Sequence, residues 1–301
     1  MIRVAMIGYG AVASVHAAKL GSRPDVQLVS VYGPRCEKAV LFALTHGIQR
    51  VCNSVKEAVA GANVAIVCSP TSVHFEQTRE CLECGVHTLV EFPPCENSGQ
   101  AEELVSLAGR KGVKLACAHT SRFLAPYART KAAIQSGRLG EIQQVNYVRS
   151  HKLRERSWTD NALLHHAGHP IDLLFFWCGG FEPIGCVALP DVRQPHTVSL
   201  LAKLPSGGPV TITVTYAARI YQVRMMIVGG QHTIETDGFS YAKSDLPELE
   251  FTGDERETYE EAILRQDIQF LCHCQGVGSF VSWEETLKIL RATDAFRALA
   301  T

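Results

Sequence analysis

The stretch Arg3-Val4-Ala5-Met6-Ile7-Gly8-Tyr9-Gly10-Ala11-Val12-Ala13 decides the fold of the first part of the chain. An apolar run ends in two glycines, and a helical pattern follows them directly. The pattern is GxGxxA, in which the first glycine makes a tight turn and the second lets the backbone approach a pyrophosphate. The alanine allows the helix to pack closely on the strand. Because the glycines join a strand to a helix, the stretch predicts a dinucleotide site; the alternative is a tight turn without a ligand.

Apolar strands and helices alternate through the first third of the chain. The sequence predicts strands at Arg3–Ile7, Gln27–Tyr32, Val64–Cys68, His87–Glu91 and Lys114–Ala118. It predicts helices between them at Ala11–Leu20, Glu37–Thr45, Val55–Ala60, Val73–Glu83 and Ala101–Lys111. This alternation is typical of a doubly wound parallel sheet with right-handed crossovers. We therefore predict an α/β protein whose residues 1–120 form a Rossmann domain.

The regular alternation of strands and helices ends after Thr120. A helix near Pro126–Ser136, a strand at Ile142–Arg149 and a helix at Asn161–Trp177 are followed by five alternating segments without a long helix between them. Two helices, near Tyr259–Cys274 and Trp283–Leu299, complete the pattern. We predict that residues 121–301 form an α/β domain with a large, mostly antiparallel, open-faced sheet, used for substrate binding and oligomerisation.

Composition limits the classes of partner. The 301 residues carry a formal net charge of −1 and no long basic run, which argues against a nucleic-acid partner. No segment approaches the roughly 18 uninterrupted apolar residues of a membrane span. The eleven cysteines are scattered, so free thiols in a reducing cytoplasm are favoured over disulfides or metal ligands.

The end of the second predicted strand bears on the choice of cofactor. An NAD site has an acidic residue there, which binds the ribose 2′-hydroxyl. Here Gly33 occupies that position and Arg35 follows two residues later. An arginine can pair with a 2′-phosphate, so NADP is favoured and NAD stays open. The loop Ser69-Pro70-Thr71 follows another strand and is expected to line the cofactor cleft, while His74 is expected to cap or pack.

These motifs together resemble the Gfo/Idh/MocA oxidoreductases over nearly the whole chain. The resemblance rests on the glycine turn, Ser69–His74, Val90-Glu91-Phe92-Pro93 and Gly168-His169-Pro170-Ile171-Asp172. It implies a Rossmann domain, an open-faced α/β domain that pairs into homodimers or homotetramers, and a nicotinamide cofactor. The residues expected to contact or frame that cofactor are Gly8, Gly10, Ala11, Val12, Arg35, Ser69, Pro70, Thr71, His74, Glu91 and Pro93.

Two positions depart from the common family pattern. Phe92 stands where the family's Glu-Lys-Pro has its lysine, and His165 stands where an aspartate often precedes the active-site histidine by four residues. The run from Arg156 to Asp172 is similar to one branch of the family. That branch oxidises the cyclic hemiacetal of an aromatic ring-cleavage product to 2-pyrone-4,6-dicarboxylate with NADP. The resemblance therefore implies a carboxylated small-molecule substrate.

Histidine is the natural base for a hydroxyl proton near neutral pH. On an α-helix, His165 and His169 share one face, and His166 is turned away by about 100°. We predict His169 as the base, with His165 as its partner or as a ligand for a substrate oxygen. Asp172 could orient a histidine. A structural histidine pair is the alternative, and a metal site is disfavoured because no third ligand is evident.

A dicarboxylate substrate needs cationic groups, ideally the fork of an arginine. Arg122 and Arg156 are candidate carboxylate clamps, and Trp158 is a candidate pocket wall. Surface ion pairs and core packing are the alternatives. Three functions stay open: a dehydrogenase of a carboxylated hemiacetal, a sugar or inositol dehydrogenase, and a cofactor-binding regulator without turnover.

Overall fold

The computed structural model describes residues 1–153 and 160–300, which divide into two compact units. The first unit consists of Met1–His119 and Ile263–Leu287. The second consists of Thr120–Ala262 with the chain from Lys288 onward. The sequence pattern had predicted residues 263–287 as part of the second domain. The structure gives them to the first unit because Trp283 Nε1 donates a hydrogen bond to the Ala101 carbonyl at 2.9 Å and Asp267 bonds to His16.

The first unit is built on a parallel sheet of six strands in the order β3-β2-β1-β4-β5-β6. The strands are β1 (Ile2–Ile7), β2 (Val26–Tyr32), β3 (Arg50–Cys52), β4 (Val64–Val67), β5 (His87–Val90) and β6 (Leu115–Cys117). The helices between them are α1 (Ala11–Gly21), α2 (Cys36–His46), α3 (Val55–Val59), α4 (His74–Glu83) and α5 (Ser98–Lys111). This strand order is that of the Rossmann fold, which confirms the prediction.

Burial explains why these segments form strands and helices. All four residues of β4 are buried, as expected for a central strand covered on both faces. Side chains cap two of the helices: Ser54 Oγ accepts from Glu57 N at the start of α3, and Asn97 Oδ1 accepts from Gln100 N at the start of α5.

The second unit is built on an eight-stranded sheet in the order β14-β13-β12-β11-β7-β10-β9-β8. Its strands are β7 (Ile142–Lys152), β8 (Glu182–Leu189), β9 (Thr197–Lys203), β10 (Pro209–Thr215), β11 (Ala217–Gly229), β12 (Thr233–Thr236), β13 (Tyr241–Ser244) and β14 (Phe251–Thr252). β7 and β10 are parallel, and the other neighbouring pairs are antiparallel. The predicted mostly antiparallel sheet is thus confirmed.

Further helices lie after β6 in the chain. They are α6 (Ala125–Gln135), α7 (Gly168–Cys178), α8 (Glu255–Cys274) and α9 (Trp283–Ala298). A π-helical turn, Ala162–Ala167, leads directly into α7. α7 ends at Gly179, which adopts the left-handed conformation (φ +76°) that favours glycine.

The two faces of β8 and β9 differ in burial. Cys186, Ala188, Val198 and Leu200 point to one face and are buried. On the other face Val187, Leu189 and Leu201 are 50%, 58% and 44% exposed. The sheet therefore carries an open apolar face, as the sequence predicts.

All eleven cysteines are free thiols. Among the described residues, none of the helices combines the length and apolar character needed to cross a bilayer.

Candidate active site

The glycine turn after β1 has the backbone geometry of a phosphate-binding turn. Gly8 has φ +116°, and a Cβ there would lie 2.6 Å from the Cys68 carbonyl oxygen, so only glycine fits. Gly10 precedes α1 with nothing within 4 Å of an added Cβ. No side chain caps this end of α1. Its backbone N–H groups and the positive end of its dipole therefore fit a pyrophosphate.

Tyr9 fills the space beside the end of β2. A Cβ on Gly33 would lie 2.1 Å from Tyr9 Cε1, so the glycine makes room for the tyrosine ring. Tyr9 Oη accepts a hydrogen bond from Arg35 N at 3.2 Å. Arg35 is exposed at the start of α2, so its guanidinium faces solvent beside a position without a carboxylate.

His74 holds two loops of the first unit together. Its Nδ1 lies 2.8 Å from the Pro93 carbonyl, and its Nε2 lies 2.7 Å from the Ser69 carbonyl. The pKa of His74 is lowered, because the effect of burial outweighs that of the two carbonyl oxygens, which favour the protonated ring. The packing role predicted for His74 is to join the loop after β4 to the loop after β5 through these two hydrogen bonds.

A buried acid–imidazole–acid chain supports the second of these loops. His16 Nδ1 lies 2.7 Å from Asp267 Oδ2, and His16 Nε2 lies 2.9 Å from Glu91 Oε1. Burial lowers the pKa of His16, but Asp267 and Cys68 together outweigh it, so the net shift is well upward. Desolvation raises the pKa of Asp267. A protonated imidazole between two carboxylates fixes Glu91 at the end of β5.

Phe92 follows Glu91 and contacts a further histidine. The rings of Phe92 and His119 are 6.1 Å apart, and His119 Nε2 lies 2.9 Å from Thr286 Oγ1. The cis peptide bond of this loop joins Phe92 to Pro93.

In the second unit the predicted histidine helix begins as a π-helical turn. Asn161 Oδ1 accepts from Leu164 N at 2.9 Å and caps the turn. His165 Nδ1 lies 3.0 Å from Asn161 N and 3.1 Å from its carbonyl oxygen. His169 lies in the first turn of α7, with Nδ1 3.4 Å from Ser121 Oγ. A π-helical turn has more residues per turn than an α-helix. The expectation that His165 and His169 share one face because they are four residues apart therefore does not hold here.

His166 belongs to the histidine cluster, although the sequence had turned it away. Its Nδ1 lies 2.7 Å from Tyr216 Oη, and its ring is 4.9 Å from that of His151. Burial lowers its pKa well below the ordinary value, and the neighbouring Arg149 and His169 lower it further. His166 is therefore neutral near pH 7 and shares a hydrogen bond with Tyr216 through its Nδ1.

Arg122 and Asp172 form an ion pair with each other. Arg122 Nε and Nη2 donate to Asp172 Oδ1 at 2.8 and 2.6 Å, and the two side chains are 8% and 3% exposed. The Arg122 guanidinium also lies over the Phe176 ring at 5.1 Å. This pairing differs from both predicted roles, a carboxylate clamp and an orienting partner for a histidine. A guanidinium or a carboxylate buried alone is strongly destabilising, and pairing the two offsets that cost.

Arg156 and Trp158, the other two predicted substrate contacts, lie outside the described residues. Within the described ranges, no group of three or more His, Cys, Asp or Glu side chains is arranged to hold a metal ion.

Sequence reasoning missed several residues of these clusters. His16 shares the buried stripe of α1 with Ala13, Ala17 and Leu20, so helical spacing alone marks it as a buried polar group. His151 lies on the same face of β7 as the buried Val145 and Tyr147, so strand alternation marks it as a buried polar group. Asp267 carried no such signal, because its partner is 251 residues away.

Two family models match the chain. Residues 2–119 match a model described as an oxidoreductase family with an NAD-binding Rossmann fold. Residues 127–235 match the GFO/IDH/MocA C-terminal domain.

Individual proteins are similar over most of the chain. A 4-carboxy-2-hydroxymuconate-6-semialdehyde dehydrogenase from Sphingobium sp. strain SYK-6 is 28% identical over 229 residues, which cover 71% of this chain and 72% of the relative. The myo-inositol dehydrogenase Hyg17 from Streptomyces leeuwenhoekii is 30% identical over 258 residues, covering 77% and 75%. The crystal structure of GenD2 from gentamicin A biosynthesis in complex with NAD has a TM-score of 0.85 at 18% identity, covering 99% of this chain and 94% of that one. That likeness shows a common fold.

Proposed function

The chain belongs to the Gfo/Idh/MocA family of oxidoreductases, and we propose that it oxidises the hydroxyl-bearing carbon of a carboxylated cyclic hemiacetal. One observation carries the proposal. The second unit gathers His165, His166 and His169 in one helical segment, and Arg149 acts electrostatically on His166, so that bases and positive charge occur together. The similarity to a dehydrogenase of a carboxylated semialdehyde supports the same substrate class.

The residues of the first unit fit a dinucleotide. The turn at Gly8 and Gly10 and the uncapped N-terminus of α1 suit its pyrophosphate. Hydride acceptance from the substrate carbon is the chemistry that a bound nicotinamide would supply there. Arg35 and the absence of a carboxylate at Gly33 support NADP over NAD, because a guanidinium pairs with a 2′-phosphate.

The protein's own part in the reaction is to take a proton. As the hydroxyl carbon is oxidised, the hydroxyl proton moves to a ring nitrogen of His169 and the C–O bond becomes a carbonyl. His165 binds the same substrate oxygen. An imidazole is suited to this step because its ordinary pKa lies near neutral pH.

The remaining predicted residues act around that step. The Arg122–Asp172 pair connects the 3₁₀ turn Thr120–Phe123 to α7 and so positions His169. Glu91 and Pro93 frame the cofactor, held by His16 and His74. Arg156 stays our candidate for a substrate carboxylate contact, and Trp158 for a pocket wall.

A second candidate is a sugar or inositol dehydrogenase. The 30% identity with a myo-inositol dehydrogenase over 77% of the chain favours it. Phe92 weighs against it, because a phenyl ring supplies no ammonium group where the family pattern has a lysine.

Separate His169→Asn and His165→Asn variants test the proton-transfer role. We expect His169→Asn to lower kcat by about 10²–10⁴-fold, the range for loss of a general base. Cofactor affinity, measured by fluorescence titration, should stay unchanged. The control is His232→Asn, a histidine of the same unit that pairs with Asp245 at 3.2 Å. Near-normal turnover in both cluster variants would refute the assignment.

We also propose that a second copy of the chain covers the open face of the sheet, giving a homodimer or homotetramer. Val187, Leu189 and Leu201 expose about half of their surfaces there (50%, 58% and 44%). A Leu201→Arg variant should lower the molar mass measured by light scattering at micromolar concentration. An unchanged mass would exclude this face as the interface.

A further inference from the structure

Arg149 occupies an enclosed position on the helix-covered face of β7. Strand alternation puts it on the same face as Val145, Tyr147 and His151, all of which are buried. Its Nε is enclosed and forms no hydrogen bond to any described residue. Tyr147 shares a side-chain hydrogen bond with the guanidinium. Arg149 therefore keeps a donor directed into the protein without an acceptor from the described chain.

The groups around Arg149 are cationic or neutral. The guanidinium and the rings of His151, His165 and His169 all act electrostatically on His166. Tyr147, Tyr216 and Tyr221 are the groups that act on Arg149 itself. Among residues 1–153 and 160–300, no aspartate or glutamate forms an ion pair with it.

Arg122 provides the internal comparison. It is another arginine of the same unit, and Asp172 neutralises it at 2.6 Å. Arg149 is half-buried, with its Nε enclosed, and has no such partner in the described residues. A partly buried cation without a counter-ion is unfavourable, because the hydrogen bond with Tyr147 replaces only part of the hydration that burial removes.

We propose that Arg149 binds a carboxylate group of the substrate. A carboxylate can accept from Nε–H and one Nη–H at the same time, which is the side-on fork that arginine offers and lysine does not. Tyr216 and His166 lie beside it as neutral hydrogen-bonding groups. This inference rests on the proposed function of the histidine cluster and names the residue that selects an acidic ring over a neutral sugar.

Calorimetric titration with benzene-1,3-dicarboxylate, an unreactive planar dicarboxylate, tests the site without turnover. The full-length protein is titrated with NADP present, as wild type, Arg149→Gln, Arg149→Lys and the control Arg224→Gln. Arg224 pairs with Glu235 on the exposed part of the same sheet, so its loss should not change affinity. We expect Arg149→Gln to weaken binding roughly 10–150-fold, the loss of a charge-assisted pair of about 1.5–3 kcal/mol. Arg149→Lys should be intermediate.

Thermal unfolding separates a binding role from a structural one. If Arg149 serves to bind the carboxylate and has no counter-ion in the unliganded protein, its removal should not destabilise the fold. Unliganded Arg149→Gln should then unfold at or above the wild-type temperature. A lower unfolding temperature together with unchanged affinity would overturn the inference, as would wild-type protein that fails to bind the dicarboxylate.

Turnover of the carboxylated hemiacetal distinguishes this inference from the proposed function. If wild type oxidises it and Arg149→Gln has the same KM, the assignment of Arg149 fails while the function stands. If wild type binds the dicarboxylate through Arg149 but oxidises no hemiacetal, the anion site stands and the proposed function fails.

Discussion

Replacing Asp267 by asparagine should destabilise the first unit strongly. Asp267 and His16 have side chains that are 1% and 0% exposed, and they are joined at 2.7 Å. The substitution keeps the shape of the side chain but removes the charge that stabilises the imidazolium. Breaking a buried pair from one side costs about 3–5 kcal/mol. For a unit of this size, that lowers the unfolding temperature by roughly 6–20 °C.

The effect of pH follows from the direction of the His16 shift. The pKa of His16 is raised in the folded protein, so folding favours the protonated ring. The stability that this pair contributes is fully present below the ordinary histidine pKa near 6.5. It is lost as the pH rises through the raised pKa of His16. The difference between wild type and Asp267→Asn should therefore be largest in mildly acidic buffer and shrink in alkaline buffer.

Scanning calorimetry of wild type, Asp267→Asn and Asp25→Asn measures the effect. Asp25 pairs with Arg23 at the surface of the same unit and is 51% exposed, so its loss should leave the unfolding temperature nearly unchanged. An Asp267→Asn protein that loses less than about 1 kcal/mol, or whose deficit grows with pH, would refute the role of the buried pair.

Three further perturbations follow from the geometry. Gly8→Ala should weaken cofactor binding about tenfold or more, because a Cβ meets the Cys68 carbonyl oxygen at 2.6 Å; unchanged affinity in a fluorescence titration would contradict this. Arg35→Gln should weaken NADP binding roughly 10–150-fold and leave NAD binding unchanged, and equal losses for both cofactors would exclude a 2′-phosphate contact. Arg122→Leu should cost about 3–5 kcal/mol in chemical unfolding, and adding Asp172→Leu should restore much of it; no recovery would show that the pair is not the cause.

The strands and helices that carry strong patterns could be read directly from the sequence. The boundaries of β1, α1 and β5 fall within a residue or two of the predicted ones, because each is an apolar run bounded by a turn residue. β3 was missed because it has three residues, of which Cys52 is the buried one. β13, with four residues, and β14, an edge strand of two residues, were missed because they are also short.

The contents of the site were only partly predictable. His165 and His169 were selected by residue type and by an α-helical spacing that the structure does not keep, and the π turn that contains His166 has no signal in the pattern. Arg122 and Asp172, which were predicted to have separate roles, pair with each other across 50 residues of sequence. Long-range pairs depend on the packing of whole elements, and periodicity within one element does not reveal them.

The measurement that tests the central claim most directly is a comparison of specificity constants, followed by absorbance of the reduced nicotinamide. Wild-type protein with NADP is assayed on 4-carboxy-2-hydroxymuconate-6-semialdehyde and, separately, on myo-inositol and glucose. We predict a kcat/KM for the carboxylated hemiacetal that exceeds those for the neutral polyols by about 10²-fold or more, as for a site that loses a charged contact with the wrong substrate. Efficient oxidation of inositol or glucose with none of the acidic hemiacetal would contradict the account.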